Sequence, residues 1–519
     1  MYARAIELLE PTGAARSEIH ARMAEAFQNA GKGADSAAAY LVAARDVGRL
    51  QALRYRGQAG QQLLRAGHVD EGVATIEDVL AEVGIRMPRS RWRAVLTLLM
   101  HRLRIRLGRL RFVPRSADQV TPEQLTMMDV CWTASVAIGM SDTMAGAVFQ
   151  ARHLIEALRT GEVNHVSHAL AIEGVYRSLA GTPAVDDVDR IQGRARDMAD
   201  RSDDPLSIAW AAGAYSCTRY QFGQWRRSCE AAQLALTSME GRAGMWFERA
   251  TVEMYRLWSL YWLGHFRELV ERTTALRAQA VDLGDLYSAT SLSIGLPALQ
   301  WLVRGRPEEG RLVADHALRG WSRRTYHLQH HWQAYALAHI DLYEGRPAEA
   351  WQRMRQGWRD AGKALLRNLQ MIRLELLWAR GRAAVMWAGQ DPSNRERMLR
   401  DAARCARALY REQRPDAQAL ALSLDAGICG VRGDLAAALP YLAAATDRAG
   451  EQELGFLAAA TQAARGRILG AERGAALVRD AEAWMSDQSI ADPVALSRVF
   501  LPGLEWDALA GVTTSRRRT

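Results

Sequence analysis

Lysine is almost absent from this chain. Of its 67 basic residues only Lys32 and Lys363 are lysine, and the rest are arginine. So lopsided a choice, beside so much alanine, points to a GC-rich genome rather than to a demand for guanidinium chemistry. Cysteine is scarce as well. Cys131, Cys217, Cys229, Cys405 and Cys429 are odd in number, scattered, and form no Cys-x-x-Cys pair. That argues for buried thiols in a reducing compartment.

Long apolar runs are missing too. None approaches the ~18–20 residues a membrane span needs, and Met1 to Leu9 does not read as a secretion signal. A soluble, cytoplasmic protein is expected. Also missing are Gly-x-Ser-x-Gly, His-Glu-x-x-His and the ordered kinase signatures. The reading therefore puts forward no catalytic, cofactor-binding or metal-ligating residue and expects no enzyme.

What is present is a repeat. Glycines closing apolar helical runs fall at Gly223, Gly264, Gly305, Gly345, Gly389 and Gly433, at intervals of 41, 41, 40, 44 and 44 residues. Most open one phrase: glycine, any residue, an apolar residue or proline, two more, then usually a small residue. Examples are Gly223-Gln-Trp225-Arg-Arg-Ser228 and Gly345-Arg-Pro347-Ala-Glu-Ala350, with Gly389-Gln-Asp391-Pro the poorest copy. Glycine tolerates the left-handed conformation that ends a helix, proline suits the first turn of the next, and a small residue lets the two helices approach. Each copy predicts a helical hairpin. A hairpin cannot bury its apolar face alone, so the run stacks into a superhelix held by neighbour contacts. The expected fold is an all-α solenoid of tetratricopeptide-like hairpins with a period of about 40–44 residues.

The chain divides on this reading into N-terminal hairpins over 1–87, a basic amphipathic helix and connector over 88–120, the superhelix over 121–510, and a basic tail over 511–519. In the first block Ile19, Met23, Ala26 and Phe27 make a stripe ending at Gly31, and Leu63 to Gly72 carries an early copy of the turn. Met1 to Glu10 reads as a helix already under way, as if something preceded it. Thr121-Pro122-Glu123 opens a capped helix.

The segment from Arg86 to Arg115 holds ten arginines and no acid, enough to account for the net charge of +9. Trp92, Leu96, Leu99, Leu103 and Leu110 mark an apolar face, and Arg102, Arg104, Arg106, Arg109 and Arg111 are distributed around it. These arginines are the candidate interaction residues. One reading is a contact with anionic lipid, nucleic acid or an acidic partner. The other is a repeat helix whose apolar face is buried and whose arginines are solvated or paired.

Three further features invite chemistry and have simpler readings. Gly357-Trp-Arg-Asp-Ala-Gly362-Lys363-Ala364 has phosphate-loop spacing but alanine where the magnesium-binding hydroxyl belongs, and no preceding strand. Its glycines are expected to break one helix and start another. His316, His327, His330, His331 and His339 crowd 24 residues, a possible metal pair or simple packing. Twelve of the sixteen tryptophans lie between Trp210 and Trp387, lining a groove or wedging helices.

Several stretches resemble the C-terminal helical region of PknK-like bacterial serine/threonine protein kinases, which also carry a signalling ATPase module of the AAA/STAND type. They are LLRAGHVDEGVATIEDVLAEVGIRMP (63–88), DVCWTASVAIGMSDTMAGAVFQARHLIEALRTGE (129–162), WSRRTYHLQHHWQAYALAHIDLYEGRPAEAW (321–351) and RDAEAWMSDQSIADPVALSRVFLPGL (479–504). The resemblance implies a non-catalytic sensing or scaffolding arm. Its expected partner is a protein or small effector, and it would act on a kinase or ATPase in cis or in trans. The family's catalytic residues have no counterpart here.

Overall fold

The computed structural model describes residues 12–506 apart from 86, 88–90, 109, 140–141, 203, 243–244, 323–324 and 505. The expected helix Met1–Glu10, the tail Gly511–Thr519 and Arg109 lie outside the described residues. Within them the regular structure is helical from Gly13–Asn29 to Pro493–Phe500, with one isolated bridge, Arg115 to Glu162, and no strand.

The glycine turns set the architecture. Gly223, Gly264, Gly305, Gly345 and Gly433 all have φ between +68° and +77°, a region that costs other residues a Cβ clash. After each glycine the next N–H reaches back five residues: Gln224 to the Arg219 carbonyl at 2.9 Å, His265 to Leu260 at 3.0 Å, Arg346 to Asp341 at 2.7 Å. That bond closes the helix and satisfies an orphan carbonyl. The partner helix starts at once, and its fourth residue is buried against the first: Ser228, Leu269, Ala350 and Ala438 have no exposed surface.

Two expectations about glycine fail for identifiable reasons. Gly389 lies inside the helix Gln370–Gln390, which stops at extended Asp391 instead. Pro392 disfavours helical backbone at the residue before it, and the Asp391 carboxylate takes the Ser393 N–H at 2.9 Å. Gly357 and Gly362 break nothing, because the helix Pro347–Lys363 runs through both. At Gly357 a Cβ would lie 3.4 Å from Leu376 Cδ2, so the missing side chain serves close helix packing.

Helices pack chiefly on those beside them in sequence, as a solenoid requires, but this superhelix also touches itself. The Leu286 N–H donates to the Ala66 carbonyl at 3.1 Å and Ser322 Oγ to Asp70 at 2.8 Å. Further on, Arg414 donates to the Gln221 carbonyl at 2.6 Å and the Ala491 N–H to Val303 at 2.8 Å. Bonds of this kind join residues 183 to 252 positions apart. Neighbour contacts alone, the expectation from the repeat, do not describe the fold. The principal core runs from Tyr220 to Trp506, with Trp225, Trp378 and Trp506 wholly enclosed, and smaller cores lie under the N-terminal helices.

The helix Arg91–Gly108 does not follow the reading in which its apolar face is buried. Ala94 and Ile105 are buried, yet Trp92, Leu96, Leu99 and Leu103 are exposed at 84%, 60%, 61% and 58%. The apolar face faces outward, because the neighbouring helix Thr143–Thr160 covers only the opposite side. Leu110 is half-buried beyond the helix end. In the first helix Ser17, Ala21 and Ala24 are buried and Ala26 is exposed, while Ile19, Met23 and Phe27 are half-buried, Met23 and Phe27 against the small core that includes Tyr40.

Candidate functional site

Where the N-terminal hairpins meet the next superhelical turn, a cavity of about 780 Å³ remains. Its walls come from the helices Arg49–Arg65, Pro122–Gly139, Val163–Ser178, Pro205–Gln221 and Trp246–Leu263. Both signs of charge line it: Arg54, Arg65 and Arg242 against Asp129, Asp204 and Glu248.

Local sequence explains the placement of the acids. Asp204 precedes Pro205 and caps its helix, accepting from the Ser207 N–H at 3.0 Å and from Ser207 Oγ at 2.8 Å. Its carboxylate is thereby held at the cavity edge by the chemistry that starts the helix. Asp129 lies 3.4 Å from His165. Glu248 stands in the first turn of Trp246–Leu263 and meets Arg65 at 2.7 Å, with the Arg65 guanidinium 4.5 Å over the Phe247 ring. Arg65 Nε and Glu248 Oε2 are buried and make no hydrogen bond within the chain.

One wall is aromatic. Trp132 stacks on His168 at 5.0 Å between ring centres and meets Trp210 edge-on at 4.9 Å. Ser207 Oγ holds His168 Nε2 at 3.1 Å, and behind it His153 and His165 are joined at 3.2 Å. Burial lowers His168 to about 4, with the neighbouring His165 adding to the effect. Burial likewise pushes His153 far below the ordinary imidazole value. Both rings are neutral near pH 7.

Trp210 and Glu248 also face a second, apolar cavity of about 240 Å³. There Trp258 lies 5.4 Å from Tyr220, 4.9 Å from Tyr255 and 5.0 Å from Trp332. At its end Glu375, almost fully buried, bonds His331 at 2.8 Å. The tryptophans thus divide between the two readings. Trp132, Trp210, Trp258 and Trp332 line cavities, whereas Trp225 and Trp378 are core.

The sequence-derived candidates lie elsewhere. Arg102 turns inward and pairs with buried Glu173, which also holds Arg177. Arg104, Arg106 and Arg111 are exposed, so the arginines are not gathered into one cluster. The histidines of 316–339 are separated by packing. His327 accepts from Trp321 at 3.1 Å, His331 bonds Glu375, and His339 lies 3.0 Å from Arg382 and 3.3 Å from Tyr261. No group of three metal-ligating side chains assembles among the described residues. Cys131, Cys217 and Cys405 are buried, and burial pushes each thiol up to about 12. The cavity residues escaped sequence reading because they sit on helices far apart in the chain. The one local signal was the Asp204-Pro205 cap.

Helices, turns and cavities together define an all-α helical-repeat solenoid. No protein-family model and no curated protein matches the chain. Among solved structures it is similar to a Rap protein in complex with competence and sporulation factor, at 13% identity and a TM-score of 0.39, over 84% of this chain and 99% of that one. The fold assignment rests on the helices and turns themselves.

Proposed function

We propose that this protein is a non-catalytic sensor or scaffold that receives an extended peptide or small effector in its interior cavity. In this reading it regulates a serine/threonine kinase or signalling ATPase, in cis or in trans. The observation that carries the binding site is the cavity of about 780 Å³ with both signs of charge and an aromatic wall. Its size suits a ligand of a few residues. Arg54 and Arg242 complement carboxylates, Asp129 and Asp204 complement amines, and Trp132 and Trp210 supply apolar contact. The spare hydrogen-bonding atoms on Arg65 and Glu248 offer a polar ligand a donor and an acceptor that the chain leaves unused.

The test is selection from a random-peptide display library against the intact chain. Enriched peptides should lose binding at least tenfold to Gln58→Trp, which places an indole across the cavity from an exposed position. Peptides that bind that variant unchanged, or no enrichment at all, would remove the cavity as the site. The kinase or ATPase rests on the resemblance of the stretches at 63–88, 129–162, 321–351 and 479–504. An immunoblot of the source cell tests it: a band well above 57.6 kDa would place such a module on the same polypeptide. A band at that mass, with no kinase or ATPase captured by the chain, would dispose of that part.

A further inference from the structure

The helix Arg91–Gly108 carries the largest anomaly on the surface. Six large apolar side chains, Trp92, Leu96, Leu99, Met100, Leu103 and Leu107, are each at least half exposed, from 51% to 84%. At about 100° per residue they occupy an arc of about 100°. This is one continuous stripe along a helix of 18 residues, about 27 Å long. Scattered exposed apolar residues need no explanation, but a contiguous patch marks an interaction surface. Exposed Arg106 borders one edge of the arc and exposed Arg104 the other. The opposite side of the helix is committed: Ala94 and Ile105 are buried, and Arg102 is tied to Glu173.

We infer that this stripe docks on an anionic lipid surface, the helix lying in the plane of the membrane interface. Three observations select this occupant. The stripe is exposed at all six of its positions from Trp92 to Leu107, along one side of a single helix. Tryptophan, leucine and methionine flanked on both sides by arginine is the composition of interfacial helices, whose apolar side chains enter the acyl boundary while the cations meet headgroup phosphates. No acid occurs between Arg86 and Arg115. A second copy of the chain would therefore set arginine against arginine in any symmetric pairing through this helix. A nucleic acid would match the arginines but bring nothing apolar to six exposed side chains. The described residues contain no helix long and apolar enough to cross a membrane. The attachment is independent of the interior cavity, which opens between other helices.

The test is co-sedimentation of the intact purified chain with phosphatidylcholine vesicles, with and without phosphatidylglycerol. Binding is expected only with phosphatidylglycerol, and weaker as salt rises from about 0.1 M to about 1 M, where the screening length falls from about 10 to 3 Å. Leu99→Asp with Leu103→Asp should abolish sedimentation while circular dichroism and melting stay as in the parent, since both positions are exposed. Arg104→Gln and Arg106→Gln should each weaken binding about fivefold. The inference is overturned if the parent chain does not sediment with anionic vesicles, or if the double aspartate variant sediments as well as the parent. It is equally overturned if the aspartates abolish a dimer formed without lipid, or leave intact a salt-sensitive complex with DNA.

Discussion

Arg65 and Glu248 meet at 2.7 Å across 183 residues of chain, both about nine-tenths buried. The pair joins the N-terminal hairpins to the next superhelical turn. Burying two charges is costly, and their attraction offsets that cost only while both are present. Arg65→Ala should therefore destabilise the protein by about 3–5 kcal/mol, whereas Arg65→Met with Glu248→Leu should cost much less. Urea unfolding of the parent, Arg65→Ala and the double variant measures both.

Glycines of the same turn class should differ sharply in tolerance. Gly433 has φ +77° with nothing within 4 Å of an added Cβ, so Gly433→Ala costs only the backbone strain, about 1–2 kcal/mol. At Gly67, φ is +89° and a Cβ would stand 2.8 Å from both Leu286 Cβ and the Tyr287 nitrogen. Gly67→Ala must also push two superhelical turns apart, and should lower the melting temperature markedly more than Gly433→Ala.

This contrast shows where the sequence was legible. Left-handed turns are local chemistry, so the positions of Gly223, Gly264, Gly305, Gly345 and Gly433 could be read from glycine and its flanks. What Gly67 touches depends on superhelical pitch, which no local phrase encodes. The same limit hid the cavity: Arg65, Asp129, Asp204 and Glu248 converge only once the turns close. It also left open which of the two readings of Trp92 to Leu103 holds. An amphipathic pattern shows that a helix has two faces, not which face its neighbours cover. Gly389 misled because it shares the spacing while Pro392 decides the helix end.

Acid should weaken the fold before the carboxylates protonate. The His168 value falls from 6.5 to about 4 on folding through burial, and His153, buried beside His165, is lowered as well. Below pH 6.5 the unfolded chain binds protons that the folded one refuses, so stability is present above that pH and is lost as pH falls toward 4. His168 alone accounts for roughly 3 kcal/mol over that window. Thermal melts between pH 7 and pH 4.5 should show the decline, and His168→Gln should flatten it.

The interior cavity as ligand site is the central claim, and hydrogen–deuterium exchange of the intact chain with and without a selected peptide tests it most directly. Added protection should fall on the helices that wall the cavity, Arg49–Arg65, Pro122–Gly139, Val163–Ser178, Pro205–Gln221 and Trp246–Leu263. Protection confined to helices outside that set, with these five unchanged, would contradict it.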